Sequence, residues 1–174
     1  STVYLLGISC DYHDAAAALL KDGVIVAAAH EERFTRVKHD ERIPESAISY
    51  CLAEAGITLA DVCGIVFYEK PLVKFERLLK TYIRTWPKGL KSFIQAMLSF
   101  LTKKLWIEQR VRKLLSYNGP FYYVDHHIAH AASAFYPSGF DDAILITMDG
   151  VGEDDTTTIG YGKGTQVSLT HSIH

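Results

Sequence analysis

Three imidazoles fall within five residues in the stretch Asp125-His126-His127-Ile128-Ala129-His130, which opens an alanine-rich run with helical character. On a helix His126 and His130, four residues apart, project from one face with Cβ atoms about 5–6 Å apart. Two imidazoles so placed can close on one cation at about 2.0–2.1 Å. His127 and His130, three apart, form a rival pair, and histidines that only cap or pack a helix start are the plain alternative. Two neutral imidazoles leave a divalent cation undercompensated, so a carboxylate must complete the set. Asp149 is the candidate, because it ends the apolar run Ile144–Met148, where a strand delivers a side chain to the carboxyl edge of a sheet. Gly150 and Gly152 then remove side chains from backbone that a phosphate or substrate would approach. Two histidines and one carboxylate leave coordination positions open and suit Fe(II), with Zn(II) or Mn(II) as competitors. Alone, Asp149-Gly150 reads as a turn; beside the histidines it reads as a ligand.

A second constellation is the corner Cys10-Asp11-Tyr12-His13-Asp14. His13 can serve as general base on a hydroxyl, since an imidazole titrates near working pH. Asp14 would orient that ring or cap the turn. A third is the charge run Glu31–Asp40, in which Arg33, Arg36 and Lys38 could hold a phosphate or carboxylate. A solvated run with internal salt bridges is the competing reading.

These residues need elements to position them. Val3–Ser9, Ala15–Lys21 and Val24–His30 read as a strand meander, with Asp22-Gly23 a strong two-residue hairpin signal. A polar loop over Glu31–Ile43 leads to a helix over Pro44–Ala55, stopped by Gly56. Val62–Tyr68 and Phe121–Val124 are further strands, His127–Tyr136 a helix ended by Pro137 and Gly139, and Ala143–Met148 a strand. Its hairpin partner is Thr156–Gly162, across Asp149–Asp155. Strand, hairpin, helix, strand predicts an α/β fold. Gln166–His174 reads as a strand that starts a new unit with no helix over it, as in a truncated chain or a cleaved fragment.

Residues 70–117 differ in character, holding twelve of the eighteen Lys and Arg against Glu76 and Glu108 alone. Apolar residues recur there every three or four positions, which predicts two or three amphipathic helices broken near Trp86–Gly89. A helical segment with a solvated basic face is the simpler reading; a face that binds anions or an acidic partner is the other, with Lys103, Lys104, Arg110 and Arg112 as its cations.

The chain of 174 residues is long enough for a buried core, and at 48% hydrophobic and 22% charged it has the composition of a soluble globular protein. A net charge of −2 argues against a general nucleic-acid binder. Cys10, Cys51 and Cys63 show no CxxC spacing, which predicts reduced thiols and a cytoplasmic location. Neither a signal peptide nor an uninterrupted apolar span of about 18 residues is visible.

Taken together these segments resemble the O-carbamoyltransferase family of nodulation and antibiotic-tailoring enzymes. The resemblance rests on Leu6-Gly7-Ile8-Ser9, Tyr12-His13-Asp14 and Ala16-Ala17-Ala18-Leu19, then on Glu31-Glu32-Arg33-Phe34-Thr35-Arg36 with Lys38-His39-Asp40. It ends with His126-His127, His130-Ala131-Ala132-Ser133-Ala134-Phe135-Tyr136 and Met148-Asp149-Gly150 with Gly152-Glu153. It implies an actin-like ATPase (ribonuclease H-like) lobe with a mixed sheet, formed by residues 1–69 and 118–174, with 70–117 an inserted basic helical segment. It also implies iron held by His126, His130 and Asp149, and a reaction in which ATP and carbamoyl phosphate give carbamoyl-adenylate. The carbamoyl group then passes to an acceptor hydroxyl, with His13 at the transfer site. Lys38 and the loop of Gly150, Gly152 and Glu153 would lie near the nucleotide or carbamoyl group. Cys10 and Ala15 depart from the family's usual small residue and Ser, and His30 from its common Gln. The second lobe and the carbamoyl-phosphate-processing domain of such enzymes are absent, so the 174 residues alone are expected to give no transfer. Two other readings stay open, an actin-like kinase or phosphatase using ATP without carbamoyl chemistry, and a non-catalytic binding module.

Overall fold

The computed structural model describes residues 2–71, 76, 79, 80, 82, 83, 90–99, 101, 106–149 and 156–173. The chain divides into two compact units, one of residues 1–68 and 98–123, the other of residues 69–97 and 124–174.

The first unit is built on a five-stranded sheet. Strands β1 (Tyr4–Ser9), β2 (Ala16–Lys21) and β3 (Val24–His30) form the antiparallel meander. Asp22 and Gly23 make the first hairpin with φ of 50° and 84°, the left-handed pair that a tight turn between twisted strands requires. β4 (Val62–Phe67) then lies parallel to β1, and β5 (Phe121–Tyr123) parallel to β4. The order is β3-β2-β1-β4-β5. This mixed order, three antiparallel strands followed by two parallel ones, is the ribonuclease H-like arrangement that the resemblance implies.

The expected loop after β3 contains one helical turn, α1 (Glu32–Thr35), closed by Arg36 in the left-handed region. The Glu31 side chain is buried and accepts from the N–H groups of Ser46 (3.1 Å) and Ala47 (2.8 Å), satisfying donors at the start of α2 (Glu45–Ala55). α2 ends at Gly56 with φ 64°, and packs Ala47, Ile48 and Cys51 into a core with Leu6, Ile8, Leu19 and Ile65. Helix α3 (Leu90–Ser99) lies in the basic segment, and α4 (Ile107–Leu115) adds Ile107 and Val111, both fully buried, to the first unit's core.

The second unit has helix α5 (His126–Ser138) and a three-stranded antiparallel sheet of β6 (Asp142–Met148), β7 (Thr157–Lys163) and β8 (Gln166–Ile173), in that order. Two expectations change here. β8 starts no new unit: Gly164, at φ 57°, turns the chain so that β8 pairs with β7, and α5 covers it, with Val167 and Leu169 packing against Ala131, Phe135 and Leu145. Helix α5 runs through Pro137 to Ser138, because a proline in the last turn removes only one ladder bond before Gly139 caps the helix at φ 78°. The alanines of α5 let it lie close to the sheet. Phe135 sits so tightly over Gly162 that a Cβ there would come within 2.7 Å of the ring.

Candidate metal centre and histidine corner

Helix α5 starts where Asp125 folds its carboxylate back, Oδ1 accepting from the N–H groups of His127 (3.1 Å) and Ile128 (3.3 Å). That cap fixes the first turn and places His126 and His130 on one face. β6 ends at Met148, so Asp149 follows directly at the strand's carboxyl end, its N–H held by the Thr156 carbonyl at 2.8 Å. The three side chains converge. His126 Nε2 lies 2.6 Å from Asp149 Oδ2, while His130 Nε2 lies 3.1 Å from His126 Nε2 and 3.6 Å from the same carboxylate oxygen. A triangle this small has a point about 2.1 Å from all three donors, just off their plane. Among the described residues, this is the one group of three metal-capable side chains with convergent donors.

The donor chemistry fits a cation as well as the geometry does. Two ring nitrogens 3.1 Å apart share at most one proton, so a cation between them satisfies both lone pairs. Burial, and then the neighbouring His126, hold the His130 imidazole below its ordinary 6.5, with Asp149 opposing. A neutral ring is the ligating form. His127 is excluded from the set. It is buried, and its Nδ1 lies 2.7 Å from Thr147 Oγ1, which is itself 2.6 Å from Thr158 Oγ1. Of the two pairs the spacing allowed, the structure brings His126 and His130 together.

The His13 corner lies in the first unit, between β1 and β2. Asp11 and Asp14 both adopt left-handed backbone, φ 65° and 56°, which a short polar side chain tolerates better than a branched one. The corner is pinned at both ends by one strap, Asp11 N–H donating to the Glu41 carbonyl and Ala15 N–H to the Asp40 carbonyl, each at 2.8 Å. Asp14 holds two imidazoles: its Oδ2 lies 2.6 Å from His13 Nδ1 and its Oδ1 3.0 Å from His39 Nδ1. The hydrogen bonds from His39 first and His13 second hold the Asp14 carboxyl below its ordinary 3.8. A carboxylate accepting from both Nδ1 atoms favours, in the neutral ring, the tautomer with its lone pair on Nε2, the arrangement a general base needs.

Sequence reasoning passed over His39 as a functional residue. It stands 25 positions from Asp14, on a strap whose course no local pattern reveals, and its left-handed φ of 55° shows only in the folded chain. Lys38 is exposed on the same strap. Gly150, Gly152 and Glu153 lie outside the described residues, as do Lys103 and Lys104. Of the basic helices' proposed partner-binding cations, Arg110 instead donates to Asp11 at 2.6 Å, and Arg112 to Glu108 at 2.9 Å and to the Gly119 carbonyl at 2.7 Å.

Residues 4–174 match the family model described as Carbamoyltransferase N-terminus. An uncharacterized protein of Synechocystis sp. is 54% identical over 179 residues, a match covering 98% of this chain and 29% of that protein. The nodulation protein NolNO of Sinorhizobium fredii is 33% identical over 159 residues, covering 89% of this chain and 22% of its own. The chain thus spans less than a third of the curated relatives it matches. Among solved structures, YeaZ from Pseudomonas aeruginosa superposes with a TM-score of 0.47 at 18% identity, covering 98% of this chain and 65% of that one.

Proposed function

The chain belongs to the carbamoyltransferase family, matching its N-terminal part, and on that premise we propose that it is the metal-holding, transfer-histidine portion of an O-carbamoyltransferase. The overall reaction consumes ATP, carbamoyl phosphate and water to make carbamoyl-adenylate, releasing pyrophosphate and phosphate, then moves the carbamoyl group to a hydroxylated small-molecule acceptor and releases AMP. In the second step the acceptor oxygen bonds to the carbamoyl carbon, the bond from that carbon to the adenylate phosphate oxygen breaks, and the hydroxyl proton passes to His13 Nε2. Asp14 keeps His13 in the tautomer that can take it. Lys38 and the Gly150, Gly152 and Glu153 loop are assigned to the nucleotide or carbamoyl group. His126, His130 and Asp149 hold the cation, Fe(II) in the first instance with Zn(II) or Mn(II) as competitors. When bound, it supplies Lewis-acid polarisation of an adenylate oxygen.

One observation carries the metal assignment: two imidazoles from a helix and one carboxylate from a strand end bring their donor atoms together. Cytoplasmic location belongs to the same reading, supported by three free thiols. No helix among the described residues is long and apolar enough to cross a membrane.

Metal analysis of the full-length protein purified without oxygen tests the site, with His126→Ala and His130→Ala as controls. Iron or zinc near one per chain, lost in both variants, is the expected result; equal metal in all three removes the assignment. Carbamoyl transfer that requires both ATP and carbamoyl phosphate tests the reaction, and transfer without ATP would refute it.

A further inference from the structure

Three donors from two different elements hold a cation most tightly when those elements are already in register before it arrives. In the second unit a buried polar chain joins them. His127 sits between the ligand His126 and the next turn of α5, its side chain turned inward and 3% exposed. Its Nδ1 meets Thr147 Oγ1 at 2.7 Å, and Thr147 Oγ1 meets Thr158 Oγ1 at 2.6 Å. Thr147 stands on β6 two residues before Asp149. Thr158 is its cross-strand partner on β7 and is 1% exposed. The chain therefore ties the helix bearing both imidazoles to the strand bearing the carboxylate, and to the neighbouring strand behind it.

A hydrogen bond between buried groups fixes rotation and translation more narrowly than apolar contact, because leaving it unmade strands a desolvated polar group. Sliding α5 by one residue would break the His127–Thr147 contact and swing His126 away from Asp149. Apolar packing of Ala131, Phe135 and Leu145 further along the helix offers no comparable directionality.

We propose that His127 is a positioning residue for the metal centre, acting through Thr147 and Thr158 to hold His126 and His130 in register with Asp149. The inference rests on the metal assignment above. His127 touches neither cation nor substrate; it pre-organises the donors that do, as outer partners of metal ligands commonly do.

Co(II) titration of the full-length protein tests it, reading affinity by competition with a chelating dye and coordination geometry by the visible Co(II) bands. His127→Phe keeps the buried ring and removes the hydrogen bond. Its Co(II) affinity should fall about 10–100-fold with altered bands. His127→Asn puts an amide where Nδ1 stood and should recover most of the affinity and the native spectrum. Thr158→Val, a smaller change at the far end of the chain, should give a weaker loss in the same direction and covers the case in which His127→Phe fails to fold. Thermal unfolding of each apo variant separates loss of register from loss of fold. Folded variants with wild-type Co(II) affinity and spectrum overturn the positioning role while leaving the metal centre intact. A wild-type protein that binds no Co(II), Fe(II) or Zn(II) overturns both.

Discussion

The Arg110 guanidinium meets the Asp11 carboxylate at 2.6 Å across 99 residues of sequence, tying a basic helix to the corner that carries His13. The Asp11 side chain is 4% exposed, and the Arg110 guanidinium is the cation it meets. Arg110 is thus a structural part of the first unit, which gives one cation of the basic segment a role that composition alone did not suggest.

Arg110→Met keeps most of the aliphatic contact and strands the buried carboxylate. Removing one partner of such a pair should lower stability by about 2–4 kcal/mol, with Asp11→Asn in the Arg110→Met background recovering part of the loss. Urea midpoints at constant m-value measure it. A midpoint unchanged by Arg110→Met would mean that water or another group already compensates Asp11.

The strap that pins the corner has its own anchor. Asp40 is buried and accepts from Arg42 Nε and Nη2, at 3.0 and 2.6 Å, and from the Thr35 hydroxyl at 2.9 Å. The Arg42 side-chain hydrogen bonds hold the Asp40 carboxyl well below its ordinary 3.8. A depressed carboxyl contributes stability that is complete above the unfolded value and is lost as pH falls through the folded one. Asp40→Asn should therefore destabilise the protein by a constant amount near neutral pH, with the gap to wild type closing only below about pH 4. A gap that closes near pH 6 would assign the effect to a histidine instead.

Asp14→Asn should leave the fold and metal content unchanged while lowering carbamoyl transfer, since an amide cannot hold His13 in one tautomer. Transfer by His13→Ala should fall about 10²–10⁴-fold, the usual contribution of a positioned base. Single-turnover rates at saturating acceptor check both. Equal rates in wild type and His13→Ala would place the proton acceptor elsewhere.

Because the proposed metal donors come from a helix and a strand end, a bound cation should staple them. At a free concentration one hundred times its dissociation constant it should add about 2.7 kcal/mol to the stability of the second unit. Treatment with a chelator should lower the unfolding temperature of wild type, and Asp149→Ala should lose that response. Chelation that leaves unfolding unchanged would separate any bound metal from these three residues.

The parts that could be read in advance are those set by local pattern. Apolar β-branched runs marked β1, β4 and β6, Asp22-Gly23 marked its hairpin, and a helix spacing of four paired His126 with His130. The place of Asp149 was legible because it directly follows the apolar run that forms β6, at the strand's carboxyl end. The direction in which His127 turns was not, because only the folded chain brings Thr147 on β6 against that face of α5. The bond from His39 to Asp14 and that from Arg110 to Asp11 were equally hidden, since only the folded course of the strap and of α4 creates them. The charge run Glu31–Asp40 separated into two uses: Glu31 caps α2 and Asp40 clamps Arg42, while Lys38 remains exposed.

The sheet of the second unit also bears on how the protein must be handled at the bench. Ile144, Ile146 and Met148 on β6, with Ile159 and Tyr161 on β7, point away from α5 and are 41–80% exposed. Among the described residues β6 hydrogen-bonds only to β7, so its other border is open to backbone pairing. Greasy side chains beside an open border are the recipe for clumping between molecules. Preparations of these 174 residues by themselves should precipitate or form soluble aggregates at concentrations where the longer polypeptide stays monodisperse. Light scattering of the two side by side will show it.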